Sequence, residues 1–296
     1  MAVTKVIGGD AIKRKGWLKA NKWLILRRIT QFAILGLFLT GPLFGVWIVK
    51  GNLTSSLTFD LLPLSDPFVL LQGLFARHWP ETTALIGATI VLAGYLIVGG
   101  RAYCAFVCPI NLVTDAAALV HRRLGLKKGW QPKRATRFYV LAMVMATALV
   151  SGTLAYELLN PVTIVHRGLV FGMGWAWGAV VAIFLFDVFV AMHGWCGHLC
   201  PMGAFYGLLG EVSLVRARAD DRANCNDCLD CFAICPEPQV ITPALRGEKT
   251  GHGPVITSGA CTNCGRCIDV CSENVFRFGL RFDGTVEPVI KEGATS

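Results

Sequence analysis

Eight cysteines near the end of the chain constrain it more than any other feature. They read Cys225-x-x-Cys228-x-x-Cys231-x-x-x-Cys235-Pro236 and then Cys261-x-x-Cys264-x-x-Cys267-x-x-x-Cys271, one run written twice, 36 residues apart (225 to 261). Three closely spaced thiolates cap three irons of a cubane, and the fourth cysteine of such a run ligates the other cluster. The expected ligand sets are therefore Cys225, Cys228, Cys231 and Cys271 for one 4Fe-4S cluster, and Cys235, Cys261, Cys264 and Cys267 for the other. Ser272 stands where the first run has Pro236; that proline shapes the turn and ligates nothing. Zinc also binds C-x-x-C pairs, but two complete four-cysteine runs in this order fit it poorly. No C-x-x-C-H occurs, so covalent c-type haem is not expected. Asn224, Asn226, Thr262, Asn263 and Gly265 flank the ligands, either as ordinary turn residues or as tuners of the clusters.

The rest of the chain has to satisfy a different solvent. Of 296 residues, 54% are hydrophobic and only 16% charged, against roughly a quarter charged in a soluble domain. A bilayer core needs about 20 apolar residues in a helix. Four stretches qualify, at about 25–49, 83–100, 137–157 and 171–192. Gly41-Pro42 marks an expected kink in the first. The basic start, with Lys5, Lys13, Arg14, Lys15, Lys19 and Lys22, lacks the short apolar core and cleavage site of a signal peptide, so the first stretch reads as a retained anchor. Lys and Arg number eight in residues 1–28, two in 50–82, eight in 101–137 and one in 158–170. This alternation places both termini in the cytoplasm and makes the protein multi-pass in an inner membrane. The net charge of +9 flanks the spans instead of forming one patch, which argues against nucleic acid as a partner.

The apolar region repeats itself. Tyr103-Cys104-x-x-x-Cys108-Pro109 follows the second stretch and Trp195-Cys196-x-x-x-Cys200-Pro201 the fourth, at an offset of 92 residues (104 to 196). Asp66-Pro67 and Asn160-Pro161 precede those stretches at an offset of 94 (66 to 160). The expected fold is an α-helical membrane protein of four transmembrane helices arranged as two parallel two-helix repeats, followed by a two-cluster ferredoxin domain. Boundaries fall at 1–24 for the basic N-terminus, 25–212 for the membrane domain and 213–296 for the ferredoxin domain. If the spans continue helically, each i, i+4 cysteine pair lies on one face, though the proline after each second cysteine opposes that. Cys104, Cys108, Cys196 and Cys200 read as structural thiols, two redox pairs or one shared metal site; the sequence leaves all three open. Titratable groups in or beside a span mark pathways. Quinol oxidation needs a proton acceptor, for which Asp187, His193, His198 and Tyr103 are candidates near the inner face, and Glu157 and His166 near the outer. Trp175, Trp177 and Trp195 read as interface aromatics.

Four spans, two C-x-x-x-C-P motifs at their cytoplasmic ends and a two-cluster tail resemble the NapH family over about residues 22–278. These are membrane-bound ferredoxin-type quinol dehydrogenase subunits of periplasmic nitrate reductase systems. The resemblance implies quinol oxidation from the membrane quinone pool, electron delivery toward a periplasmic nitrate reductase, and an iron–sulfur partner of NapG type. Relatives with the same motifs serve nitrous oxide reduction or cytochrome oxidase assembly, so a maturation ferredoxin is one alternative. An anchor for a soluble redox partner is another. A reporter fused after Ser296 is expected to be active only on the cytoplasmic side; activity on the periplasmic side overturns the orientation read from the loop charges.

Overall fold

The computed structural model describes residues 6–126 and 132–282. Lys5, Lys127 and Lys128, which enter the charge pattern, and residues 283–296 lie outside them. The described residues up to 210 are mostly helical, and the cysteine-rich tail folds against one end of them.

Each expected apolar stretch contains a helix, and glycines end the first three. The first runs as one helix from Lys22 to Phe44, with Pro42 in its last turn. It stops at Gly45, whose φ of 71° is left-handed and terminates a helix at little cost. The stretch expected to continue to 49 thus ends five residues early, and Val49 begins a strand. The others are Thr82–Val98, Thr136–Ser151 and Ala176–Phe189, the first two closed by Gly99 and Gly152 at φ 128° and 65°. Among the described residues, Lys22–Phe44 alone is long and apolar enough to cross a membrane by itself.

Two shorter helices were not anticipated. Pro67–Phe75 and Pro161–Phe171 each begin with proline at the first turn, where its missing N–H costs nothing. Asp66 caps the first by accepting from the Phe68 N–H at 2.8 Å, and Asn160 caps the second by accepting from the Val162 N–H at 3.1 Å. The two Asx-Pro landmarks of the repeat are thus twin helix starts, and both caps are buried. An antiparallel sheet of β1 (Val49–Gly51), β2 (Ser55–Thr58) and β3 (Leu62–Ser65) leads the chain to Asp66. β3 packs on Thr82–Val98 so closely that a Cβ at Gly87 would lie 3.0 Å from the Pro63 carbonyl.

In the tail, β4 (Val215–Ala219) pairs antiparallel with β5 (Phe276–Leu280) in the register Ala217 to Phe278. Helices Asp230–Ile234 and Arg266–Val270 occupy equivalent places in the two cysteine runs. The backbone repeats as well. Asp227 and Asn263 have φ of 54° and 47°, and Leu229 and Gly265 have φ of 64° and 71°, each pair 36 residues apart (227 to 263, 229 to 265). A leucine in the left-handed region is strained, so the turn is imposed by the shape of the run.

The tail docks by polar contacts. Asp269 accepts from the N–H groups of Trp23 and Leu24 at 3.1 and 3.0 Å, capping the start of the long helix where the dipole favours a carboxylate. Trp23 meets Phe278 edge to face with centroids 4.7 Å apart. Asn263 donates to the carbonyls of Val98 and Val215, at 3.0 and 2.7 Å, joining the end of an apolar helix to β4.

Candidate functional site

Cysteines line three small cavities. Cys225, Cys228, Cys231 and Cys271 line the first, and Cys235, Cys261, Cys264 and Cys267 the second. The fourth cysteine of each run therefore stands with the other run's triplet. Cys104, Cys108, Cys196 and Cys200 line the third. All twelve are free thiols, and each cavity measures about 20 Å³. The donor set suits iron–sulfur clusters: soft thiolates, in the two tail runs on turns whose left-handed residues redirect the backbone. Among the described residues, no three His, Cys, Asp or Glu side chains lie close enough to hold a single metal ion.

The C-x-x-x-C-P motifs do not continue as α-helix. Helix Ala102–Phe106 ends before Cys108, whose N–H bonds the Tyr103 carbonyl at 3.1 Å. In the second copy the Cys200 N–H bonds the Trp195 carbonyl at 2.9 Å, inside a π-type turn over Trp195–Leu199. Both bonds run from a residue to the fifth before it, which widens the turn. Proline sets this geometry. It disfavours the helical region for the residue before it, and Cys200 sits extended at φ −69°, ψ 114°. It then opens the next helix, Ile110–Arg123 or Pro201–Gly210. Cys200 caps the latter, its Sγ accepting from the Gly203 N–H at 3.4 Å.

Arg101 joins the third cavity to the tail. Fully buried, it donates to the Cys196 carbonyl at 3.0 Å, the Ala260 carbonyl at 2.7 Å and Glu237 Oε1 at 3.0 Å. Ala260 precedes Cys261, and Glu237 lies two residues after Cys235. Glu237 also receives Arg137 at 3.2 Å, Arg134 at 3.0 Å and the Gln239 amide at 2.8 Å. Burial alone would raise the Glu237 carboxyl, but Arg101 and Arg137, with the Gln239 hydrogen bond, outweigh it and hold it below the usual range. Glu237 is thus a carboxylate at neutral pH.

A much larger cavity, of about 370 Å³, lies beside the third cysteine set, lined among others by Phe38, Asp66, Tyr95, Tyr103 and Tyr206. Its size falls within the range of small-molecule sites. Tyr206 donates to Asp66 Oδ1 at 3.1 Å, while the buried Asp66 Oδ2 and Tyr103 hydroxyl make no hydrogen bond within the described protein. Tyr103 and Tyr206 stack 4.9 Å apart at 13°. Tyr103 lines both this cavity and the third cysteine cavity.

Of the proton-acceptor candidates, Tyr103 alone lines the large cavity. Asp187 is buried and accepts from the Trp195 N–H at 2.9 Å, bracing the second C-x-x-x-C-P turn. His193 and His198 are buried elsewhere. Glu157 accepts from Thr163 at 2.9 Å, and His166 packs edge to face on Phe38. Trp175 and Trp177 are exposed, whereas Trp195, expected at an interface, lines the third cysteine cavity. Sequence reasoning passed over Asp66 as an acid. The signal available was its repeat position, where the twin residue is the neutral Asn160.

The chain matches the family described as a 4Fe-4S binding domain twice, over residues 81–127 and 171–218, which are the two halves of the repeat. It matches the 4Fe-4S dicluster domain over residues 224–275. It is 46% identical to the ferredoxin-type protein NapH of Haemophilus influenzae over 96% of this chain and 98% of that protein. Against NapH of Escherichia coli it is 46% identical over 93% and 95%. Against the methylamine utilization ferredoxin-type protein MauN of Methylorubrum extorquens it is 50% identical over 92% and 94%. No solved structure matches.

Removing one partner of a buried ion pair strands the other, at about 3–5 kcal/mol. Glu237→Gln is expected to lower the unfolding free energy of the purified protein by an amount of that order, read as a lower denaturation midpoint. Combined with Arg101→Gln, the total loss should fall well short of the sum of the two single losses. Additive losses would show that the pair is not coupled.

Proposed function

Because this chain belongs to the NapH family of ferredoxin-type proteins, we propose that it is a membrane electron carrier that oxidises quinol and passes the electrons through iron–sulfur clusters to a partner enzyme. Cys225, Cys228, Cys231 and Cys271 hold one 4Fe-4S cluster, and Cys235, Cys261, Cys264 and Cys267 the other. Each bound cluster takes up and gives back one electron, so two suit a two-electron donor.

The membrane reading is supported by the outer surface of the bundle. Phe32, Met143 and Val150 are 62%, 62% and 87% exposed on its apolar helices, and Trp175, just before one of them, is 97% exposed, a surface suited to lipid. On this reading Lys22–Phe44, Thr82–Val98, Thr136–Ser151 and Ala176–Phe189 cross, while Pro67–Phe75 and Pro161–Phe171 start inside the bundle. The loop charges support a bacterial inner-membrane protein with both termini on the cytoplasmic side.

The observation that carries the quinol reading is the cavity of about 370 Å³ whose polar lining includes Asp66 and three tyrosines, with Tyr103 as a wall shared with a cysteine cavity. Apolar side chains such as Phe38 suit the ring and tail of a quinol, and the hydroxyls of Tyr95, Tyr103 and Tyr206 suit its polar oxygens. Quinol gives up two electrons and two protons. Asp66 Oδ2 faces no donor within the described protein, so the carboxylate takes one proton at that oxygen, and the other is released to solvent. Tyr206 holds the carboxylate in place through Oδ1. Electrons then leave toward a periplasmic nitrate reductase through an iron–sulfur partner of NapG type. The 50% identity to MauN favours a second destination, a methylamine-utilization system. Offering the reduced protein each acceptor separately distinguishes the two.

Anaerobically purified protein mixed with quinol should show reduced iron–sulfur electron paramagnetic resonance signals. Asp66→Asn should slow their appearance about 100-fold or more while dithionite reduces the variant as fully as the wild type. Absence of reduction at every quinol concentration rejects the quinol reading, and an Asp66→Asn variant as fast as wild type rejects the role of Asp66.

A further inference from the structure

We propose that Cys104, Cys108, Cys196 and Cys200 together hold a third cubane iron–sulfur cluster, two ligands coming from each half of the repeat. The proposal rests on the iron–sulfur reading of the chain and does not depend on quinol as the donor. Four observations carry it. The four thiols, 92 residues apart in sequence (104 to 196), line one cavity. That cavity matches the two tail cavities in volume, at about 20 Å³ each. As in the two tail sets, no three of these four thiols, among the described residues, lie close enough to hold a single metal ion. Neither pair is joined as a disulfide, and the two pairs converge on each other instead of standing apart as separate redox couples.

The surroundings suit a buried, negatively charged group. The Arg101 guanidinium is anchored to the Cys196 carbonyl at 3.0 Å. The N-terminus of the ten-residue helix Pro201–Gly210 meets Cys200, whose Sγ accepts from the Gly203 N–H. Such N–H to sulfur bonds set cluster potential. The position also makes sense of the fold. Tyr103 separates this site from the large cavity, and Arg101 links it to Ala260, next to the tail ligand Cys261. A centre here stands between the large cavity and the tail clusters.

Full-length protein, purified in detergent without oxygen, tests the site by metal and acid-labile sulfide analysis. Three clusters give about twelve irons per chain. The double variant Cys104→Ala with Cys196→Ala should fall to about eight and keep the resonance signals of the tail clusters, which shows that it has folded. Should that variant fail to fold, Cys196→Ser retains an oxygen ligand and should shift the spectrum of one cluster only. About eight irons in the wild type, or a Cys196→Ser spectrum unchanged in every cluster, overturns the third site while leaving the tail clusters standing. Zinc in place of iron throughout overturns both.

Discussion

Arg101 donates at once to a carboxylate of the tail, a carbonyl of the tail and a carbonyl of the second C-x-x-x-C-P turn. The three acceptors lie far apart in sequence, and a guanidinium has a rigid fork, so their relative positions are fixed together. Such a charge is costly to bury unless it is paired. That is why Glu237, with Arg137 and Arg134 also on it, is as buried as Arg101 itself. Every proposed distance-sensitive function, from cavity to cysteine cage to tail, depends on this contact. The Asp269 cap on the long helix and the Asn263 bridge to Val98 give the same docking two further points of attachment.

The repeat has kept its frame and divided its chemistry. Both copies place an Asx-Pro helix start in the interior and a Cys-Pro turn at the end of an apolar helix. In the first copy the cap is the acid Asp66, which faces the large cavity. In the second it is the neutral Asn160, which lines the cysteine cavity. The partner of Asp66 is Tyr206, from the second half, and Thr114, from the first half, contacts Cys196 of the second at 3.9 Å. Each half thus contributes a side chain to the other's site.

Much of this arrangement was legible in the residues. Sulfur spacing is a local code, so the exchange of Cys235 and Cys271 between the two runs followed from it and matches the cavity linings. The doubled motifs were equally plain at their offsets. Depth was not legible. Residues 50–82, sparse in charge, read as an outer loop, yet their strands carry Asp66 to the level of Tyr95 and Tyr206, and only tertiary packing reveals that. Hydropathy also set helix ends too late, because left-handed glycines such as Gly45 and Gly152 stop a helix inside an apolar run. The cysteine pairs at i, i+4 suggested one helical face; proline turned each into a wider loop that aims its thiols at the other copy.

The account stands on iron held by cysteine sulfur along a line from the large cavity into the tail. Anomalous scattering from crystals of the intact protein, collected on both sides of the iron edge, tests that most directly. Iron should appear within each cysteine cavity, one centre beside Arg101 and Tyr103 and two within the tail. Scattering that follows the zinc edge there, or cysteine cavities without iron, would contradict it.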